Sequence, residues 1–104
     1  MNNIYSMLGL CMKAGKLICG TDACIDSIKT GSAYAIVVAN DASNNTKEKF
    51  NKLATDYSVD IVLIGEKELI SKSVGKIDKA VFVITDNGLA NKILMLVRES
   101  KGAI

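Results

Sequence analysis

The chain of 104 residues has no histidine, no tryptophan and no proline. Without histidine, every scheme that needs an imidazole base, nucleophile or metal ligand is excluded. Aromatic residues make up 5% of the chain. They are Tyr5, Tyr34, Tyr57, Phe50 and Phe82, too few and too evenly placed for a base-stacking platform. Long apolar runs are missing as well. The longest, Ala33 to Ala39, falls far short of the roughly 20 residues a bilayer helix needs. Met1-Asn2-Asn3-Ile4 carries neither the basic end nor the apolar stretch of a secretory signal, so a cytoplasmic protein with no membrane partner is expected. The cysteines Cys11, Cys19 and Cys24 are odd in number, which suits reduced thiols rather than a disulfide framework. Arginine is reduced to Arg98, so bidentate guanidinium recognition of phosphate is nearly unavailable. A net charge of +2 is too mild to identify a polyanionic partner by itself.

What is present is an ordinary globular mixture, 49% hydrophobic and 23% charged. No repeat, low-complexity tract or linker interrupts it, and one domain over residues 1–104 is expected. Ile4, Met7, Leu8 and Cys11 recur at helical spacing, with Asn2 or Asn3 as cap and Ala14-Gly15 as stop. Leu17-Ile18-Cys19 reads as a short strand. Thr21 is expected to cap a second helix, with Cys24, Ile25 and Ile28 on one face and Gly31 at its end. Ala35 to Ala39 is continuously apolar, as a strand covered on both sides should be. Ser43 opens a third helix with Phe50, Leu53, Ala54 and Tyr57 inward and Lys47, Glu48, Lys49 and Lys52 outward. Ile61 to Ile64 is a strand closed by Gly65. A short helix over Glu66 to Ser73 carries Leu69, Ile70 and Val74. Ala80 to Ile84 is the last strand, and Asp86 caps a final helix with Leu89, Ile93, Leu96 and Val97 inward. The order α-β-α-β-α-β-α-β-α predicts a sheet sandwiched between helices.

Motifs with a chemical mechanism are scarce. No Gly-x-Gly-x-x-Gly follows a strand, and Gly15-Lys16-Leu17 lacks the hydroxyl that a Walker loop presents to magnesium. Asp22 and Asp26, at i and i+4, share a helix face that suits acid–base work, a hard cation or plain solvation. Solvation is the reading preferred here, with Asp22 favouring the positive helix start. Cys19 and Cys24 flank a helix N-terminus, where a thiol can become a nucleophile. The Gly20-Thr21-Asp22-Ala23 segment between them places an acid where a phosphate cradle should be electropositive, so packing roles are expected for all three cysteines. Two basic loops remain: Lys13 to Lys16, and Lys72, Lys76 and Lys79 around Gly75. Both could contact phosphate by charge and by backbone N–H groups. An RNA partner of such a chain would be folded and recognised by shape.

The ordered set Lys13-Ala14-Gly15-Lys16-Leu17, Gly20, Gly31, Ala35 to Ser43, Glu68-Leu69, Gly75-Lys76 and Val81 to Ala90 resembles the kink-turn-binding ribosomal protein family. This is the L7Ae family, and the resemblance is closest to its small bacterial YlxQ-type RNA-binding members. It spans about residues 4 to 97 and implies a three-layer α/β/α sandwich around a four-stranded mixed sheet. It also implies RNA contact through the loop after the first strand, the start of the next helix and the loop before the last strand. In this chain those are Gly20 to Ala23 with Asp26, and Lys76 to Ala80. Where the family pattern reads Gly-x-Asn-Glu-x-x-Lys, the Asn, Glu and Lys positions hold Asp22, Ala23 and Asp26. The Glu of the family's Glu-Asp pair is Asn40.

The expected function is therefore non-enzymatic binding of structured, kink-turn-like RNA by a monomer, in a ribosomal or translational setting, with no cofactor and no metal. Lys13, Lys16, Gly20, Thr21, Asp22 and Lys29, with Asn40 nearby, are expected on one side of the contact. Lys76, Ile77, Lys79 and Ala80 are expected on the other. Lys13 and Lys16 together are expected to contribute about two units of salt slope to binding. The rival readings are a protein-interaction module that has lost RNA, and a Cys-dependent phosphoryl-transfer enzyme.

Overall fold

The computed structural model describes residues 2–102. Helix α1 (Asn2–Lys13) leads into β1 (Leu17–Cys19), α2 (Thr21–Lys29), β2 (Ala35–Val38) and α3 (Asn44–Tyr57). Then come β3 (Asp60–Leu63), α4 (Lys67–Ser73), β4 (Val81–Ile84) and α5 (Asn87–Gly102). The alternation expected from the residue pattern is therefore observed, and the four-stranded sheet is mixed, in the order β1-β4-β2-β3.

Period-two alternation on the central strands explains the three layers. Ala35 and Val37 on β2, with Phe82 and Ile84 on β4, face one helical layer and join a core with Ile4, Leu8, Ile70 and Ile93 of α1, α4 and α5. Ile36 and Val38, with Val81 and Val83, face the opposite layer and meet Cys24, Ile28, Phe50 and Ala54 of α2 and α3. Every residue of β2 and β4 is buried, whereas β3 at the sheet edge is only half covered. Among the described residues, no helix is long and apolar enough to cross a membrane.

Local chemistry sets the helix boundaries. Ser43 caps α3, its Oγ accepting from the Thr46 N–H at 3.2 Å. Asp86 caps α5, its Oδ2 accepting from the Leu89 N–H at 2.9 Å. The cap expected at Thr21 lies one residue earlier: Gly20 is the N-cap, and its φ of 97° and ψ of 154° belong to a region that only glycine occupies readily. Helix α1 is already under way at Asn3, so Asn3 is not its cap, and the Asn2 side chain lies outside the described residues.

Two expected core residues are exposed. Tyr57 is 44% accessible because the 14-residue α3 overhangs a four-residue strand. The helix is ~21 Å long and the strand ~13 Å. Leu69 is 43% accessible because α4 packs through a single stripe, Ile70 and Val74, and leaves its flank in water.

Strand direction positions the functional end. β1 and β2 are both antiparallel to β4, and β3 is parallel to β2. The carboxyl ends of β1, β2 and β3 therefore meet the start of β4 at one end of the sheet, the place where open α/β sheets generally bind ligands.

Candidate functional site

Four chain segments converge at that end and are joined by backbone hydrogen bonds. The Gly20 N–H donates to the Val81 carbonyl at 3.0 Å, and Ala39 N–H to Ala80 at 2.9 Å. Asn40 N–H donates to Gly65 at 2.9 Å. The loop after each of the first three strands is thus tied to a neighbouring segment. Gly65 must be small: its φ is +71°, and a Cβ there would press within 3.1 Å of Tyr5 and Ile70.

The Lys76–Ala80 segment is held from below by Ser71, a buried hydroxyl. Its Oγ donates to the Lys79 carbonyl and accepts from the Lys79 N–H, both at 2.9 Å. From the side, Lys67 Nζ pairs with Asp78 Oδ1 at 2.8 Å. The hydrogen bond between them lowers the Asp78 carboxyl below its ordinary pKa and raises the Lys67 amine above its own. Asp41 anchors the start of α4, its Oδ1 accepting from the Lys67 N–H at 2.8 Å. With both sides of the segment held, Ile77 projects into water at 86% exposure, the highest of any large apolar residue described.

Lys79 lies over the start of α2: the position of a Cβ on Gly20 would be 3.6 Å from the Lys79 amine. Cys19 sits between the two sides. Burial raises its thiol pKa, while Lys76 and Lys79 pull it partly back. Cys24 is fully buried, donates to the carbonyls of Ile18 and Val81 at 3.5 and 3.6 Å, and is pushed up to about 12 by burial. Cys11 is buried and its pKa is also raised by burial, with the Asp86 charge adding to the effect. A protonated thiol is a poor nucleophile. These geometries suit packing.

The structure brings Gly20, Thr21, Asp22, Asn40, Lys76, Ile77, Lys79 and Ala80 to this one end. It does not bring Lys13, Lys16 and Lys29 there. The Lys16 carbonyl accepts from the Thr85 N–H at 2.9 Å, beside the Leu17–Ile84 pair at the opposite end of the sheet. Lys29 closes the nine-residue α2, ~12 Å along the helix from Thr21. A single contact surface with Lys13, Lys16 and Lys29 beside Gly20 is therefore not formed, because β1 and α2 each carry the chain from one end of the sheet to the other.

Reading along the chain missed Lys67, Asp41 and Ser71. Their partners are 11, 26 and 8 residues away, at Asp78, Lys67 and Lys79. Only the folded sheet end reveals such pairs.

Residues 2–94 match the Ribosomal protein L7Ae/L30e/S12e/Gadd45 family. Among similar proteins is the RNA-binding protein YlxQ of Enterococcus faecium, 40% identical over 92 residues, covering 88% of each chain. The RNA-binding protein YlxQ of Bacillus subtilis (strain 168) is 31% identical over 93 residues, 89% of this chain and 93% of that protein. A solved structure from Bacillus halodurans C, described as a protein with unknown function, superposes with a TM-score of 0.88 at 23% identity. It covers 91% of this chain and 96% of its own. The Giardia lamblia 15.5kD RNA binding protein gives 0.77 at 16% identity, over 96% of this chain and 86% of that one. These two structures bear on the fold. The family match and the YlxQ relatives settle membership: the chain belongs to the L7Ae/L30e/S12e/Gadd45 family of ribosomal proteins.

Proposed function

We propose that this protein is a non-enzymatic, cytoplasmic binder of structured, kink-turn-like RNA, acting in a ribosomal or translational setting. One observation carries the reading. A glycine-capped helix start, two loop lysines and a projecting isoleucine converge where three strands end. The names of the YlxQ relatives support the RNA assignment.

Each part has a distinct role. Thr21, Asp22 and Ala23 occupy the first turn of α2, whose N–H groups have no intrahelical partner and suit a phosphate oxygen. Lys76 and Lys79 add sequence-independent charge, whereas the Lys67 charge is taken up by Asp78. Ile77 and Ala80 offer apolar contact to an unstacked base. Asp22, Ala23 and Asp26 stand where the family pattern has Asn, Glu and Lys. One cation is absent there and the anions rise by one on balance, Asp22 and Asp26 being added and the Glu lost at Ala23. Binding to a generic kink-turn is therefore weak, about micromolar, and its salt dependence comes from the loop lysines that remain.

The test is a titration of a kink-turn stem by the parent protein at several salt concentrations. Nanomolar binding that ignores salt contradicts the proposal, and so does a complete lack of binding at low salt. The second reading is a protein-interaction module, which the exposed Asp22 and Asp26 on α2 favour. It gains if the RNA fails to bind.

A further inference from the structure

Lys29 is left at the far end of α2, and its surroundings form a second surface. A groove of about 340 Å³ runs between α2 and α3, lined by Ile25, Lys29, Lys49, Lys52, Leu53 and Asp56. Ile25 and Leu53 are half-buried and extend the core beneath it. Lys52 pairs with Asp56 at 3.4 Å, an exposed i,i+4 contact. Among the described residues, Lys29 and Lys49 have no carboxylate partner. The groove thus combines an apolar floor with a cationic rim, in a volume suited to a nucleotide-sized ligand.

We infer that this groove holds one nucleotide of a single-stranded extension of the RNA bound at the sheet end, an inference that rests on the proposed function. The base packs on Ile25 and Leu53, while the flanking phosphates meet Lys29, Lys49 and Lys52. A nucleotide in a strand supplies both features the groove asks for, a flat apolar face and anions on either side. A bare phosphate leaves the floor unused.

The distance from the first site is short. About four stacked nucleotides at ~3.4 Å each span the ~12 Å from Thr21 to Lys29. Asp26 lies exposed on α2 between the two positions and repels phosphate there. The strand is therefore gripped at its two ends rather than along the helix, which makes the groove a separable contact.

The experiment compares three RNAs: a kink-turn stem, the same stem with a single-stranded uridine extension of about eight nucleotides, and the free uridine oligomer. The proteins are the parent, the K29Q/K49Q/K52Q variant and the K76Q/K79Q variant, each checked for folding by circular dichroism. The extension should tighten binding to the parent about fivefold or more. In K29Q/K49Q/K52Q that gain should vanish, the salt slope for the extended RNA should fall by about two, and the bare stem should bind as to the parent. The free oligomer should bind the parent weakly, K76Q/K79Q equally and K29Q/K49Q/K52Q hardly at all. An extension without effect, or a gain that survives loss of the three lysines, overturns the inference while leaving the sheet-end reading intact. Failure of the bare stem on the parent sinks the sheet-end reading, and the free oligomer then decides the groove alone. Displacement of the oligomer by an equimolar acidic peptide assigns the groove to protein and overturns the inference.

Discussion

The two ends of the sheet carry similar lysine-and-glycine loops and differ in what holds those loops. At one end, the Lys13–Lys16 turn projects from α1, with Gly15 at φ +72° and open space, free of other residues to 4 Å, where a Cβ would sit. At the other, the Lys76–Lys79 loop is fixed to Ser71 through both backbone groups of Lys79 and to α4 through the Lys67–Asp78 pair. Charge alone does not distinguish these loops. Side-chain clamping does: a loop fixed by side chains as well as by its backbone loses less entropy on binding a folded RNA. Among the described residues, the Lys13–Lys16 turn is held by backbone hydrogen bonds alone. The Lys16 N–H donates to the Cys11 carbonyl and the Lys16 carbonyl accepts from the Thr85 N–H, both at 2.9 Å, so its lysines contribute mainly a diffuse attraction.

Paired substitutions can break that comparison. Gly20→Ala should be the most damaging at the site end, costing up to about 3 kcal/mol, because the backbone there adopts a glycine-only conformation. It should also weaken RNA binding by shifting the start of α2, since the added Cβ meets the Lys79 side chain only at an ordinary contact distance of 3.6 Å. Gly15→Ala, at a milder left-handed position in open space, should cost about 1 kcal/mol and leave binding alone. Denaturant melts and RNA titrations of both variants decide the matter, and equal effects on binding would erase the distinction between the ends.

Ser71→Ala should cost about 1–2 kcal/mol, since it leaves the Lys79 N–H without its partner beneath the loop. Amide hydrogens of the loop should then exchange faster, while those of the Lys13–Lys16 turn stay as they were. Unaltered exchange at Lys79 would mean that the clamp is not what orders the loop. Ile77→Ala should lower RNA affinity severalfold with no change in thermal midpoint, because the side chain is 86% exposed and supports nothing in the fold. A large loss of stability would place Ile77 in packing instead.

The smallest effect concerns the thiols. Cys24 is pushed up to about 12 from 9.0, so the unfolded chain releases this proton before the folded one does. Its contribution to stability is complete below pH 9 and declines as pH rises from there through about 12. A Cys24→Ala variant should lose this alkaline decline while retaining RNA binding. Alkylation of the native protein should reach half-buried Cys19 first and leave Cys11 and Cys24 intact. Rapid alkylation of Cys24 would contradict its burial.

Sequence reading recovers the fold well where a local signal is strong. Ala35 to Ala39 reads as a doubly covered strand and Ala35–Val38 is one, and Ser43 and Asp86 act as the caps their chemistry suggests. It fails at Thr21, where an excellent capping residue is outranked by a glycine whose backbone conformation no other residue takes easily. It also misplaces Tyr57, since helix periodicity cannot tell that α3 outruns the strand it covers. The candidate site is harder to read. Gly20 and Lys76–Ala80 are recognisable as loops, but adjacency along the chain put Lys13 and Lys16 beside Gly20, although β1 separates them by ~10 Å. Ser71 and Lys67 are invisible until α4 is folded against the last loop.

Everything proposed for RNA turns on its engaging the end where β1, β2 and β3 terminate. Salt slopes for a kink-turn stem bound by the parent, K76Q/K79Q and K13Q/K16Q separate the two ends. For K76Q/K79Q the slope should fall by about two and binding should weaken at least tenfold, with K13Q/K16Q within about twofold of the parent. The reverse pattern, a lost slope in K13Q/K16Q and an unchanged one in K76Q/K79Q, would move the contact to the opposite end of the sheet.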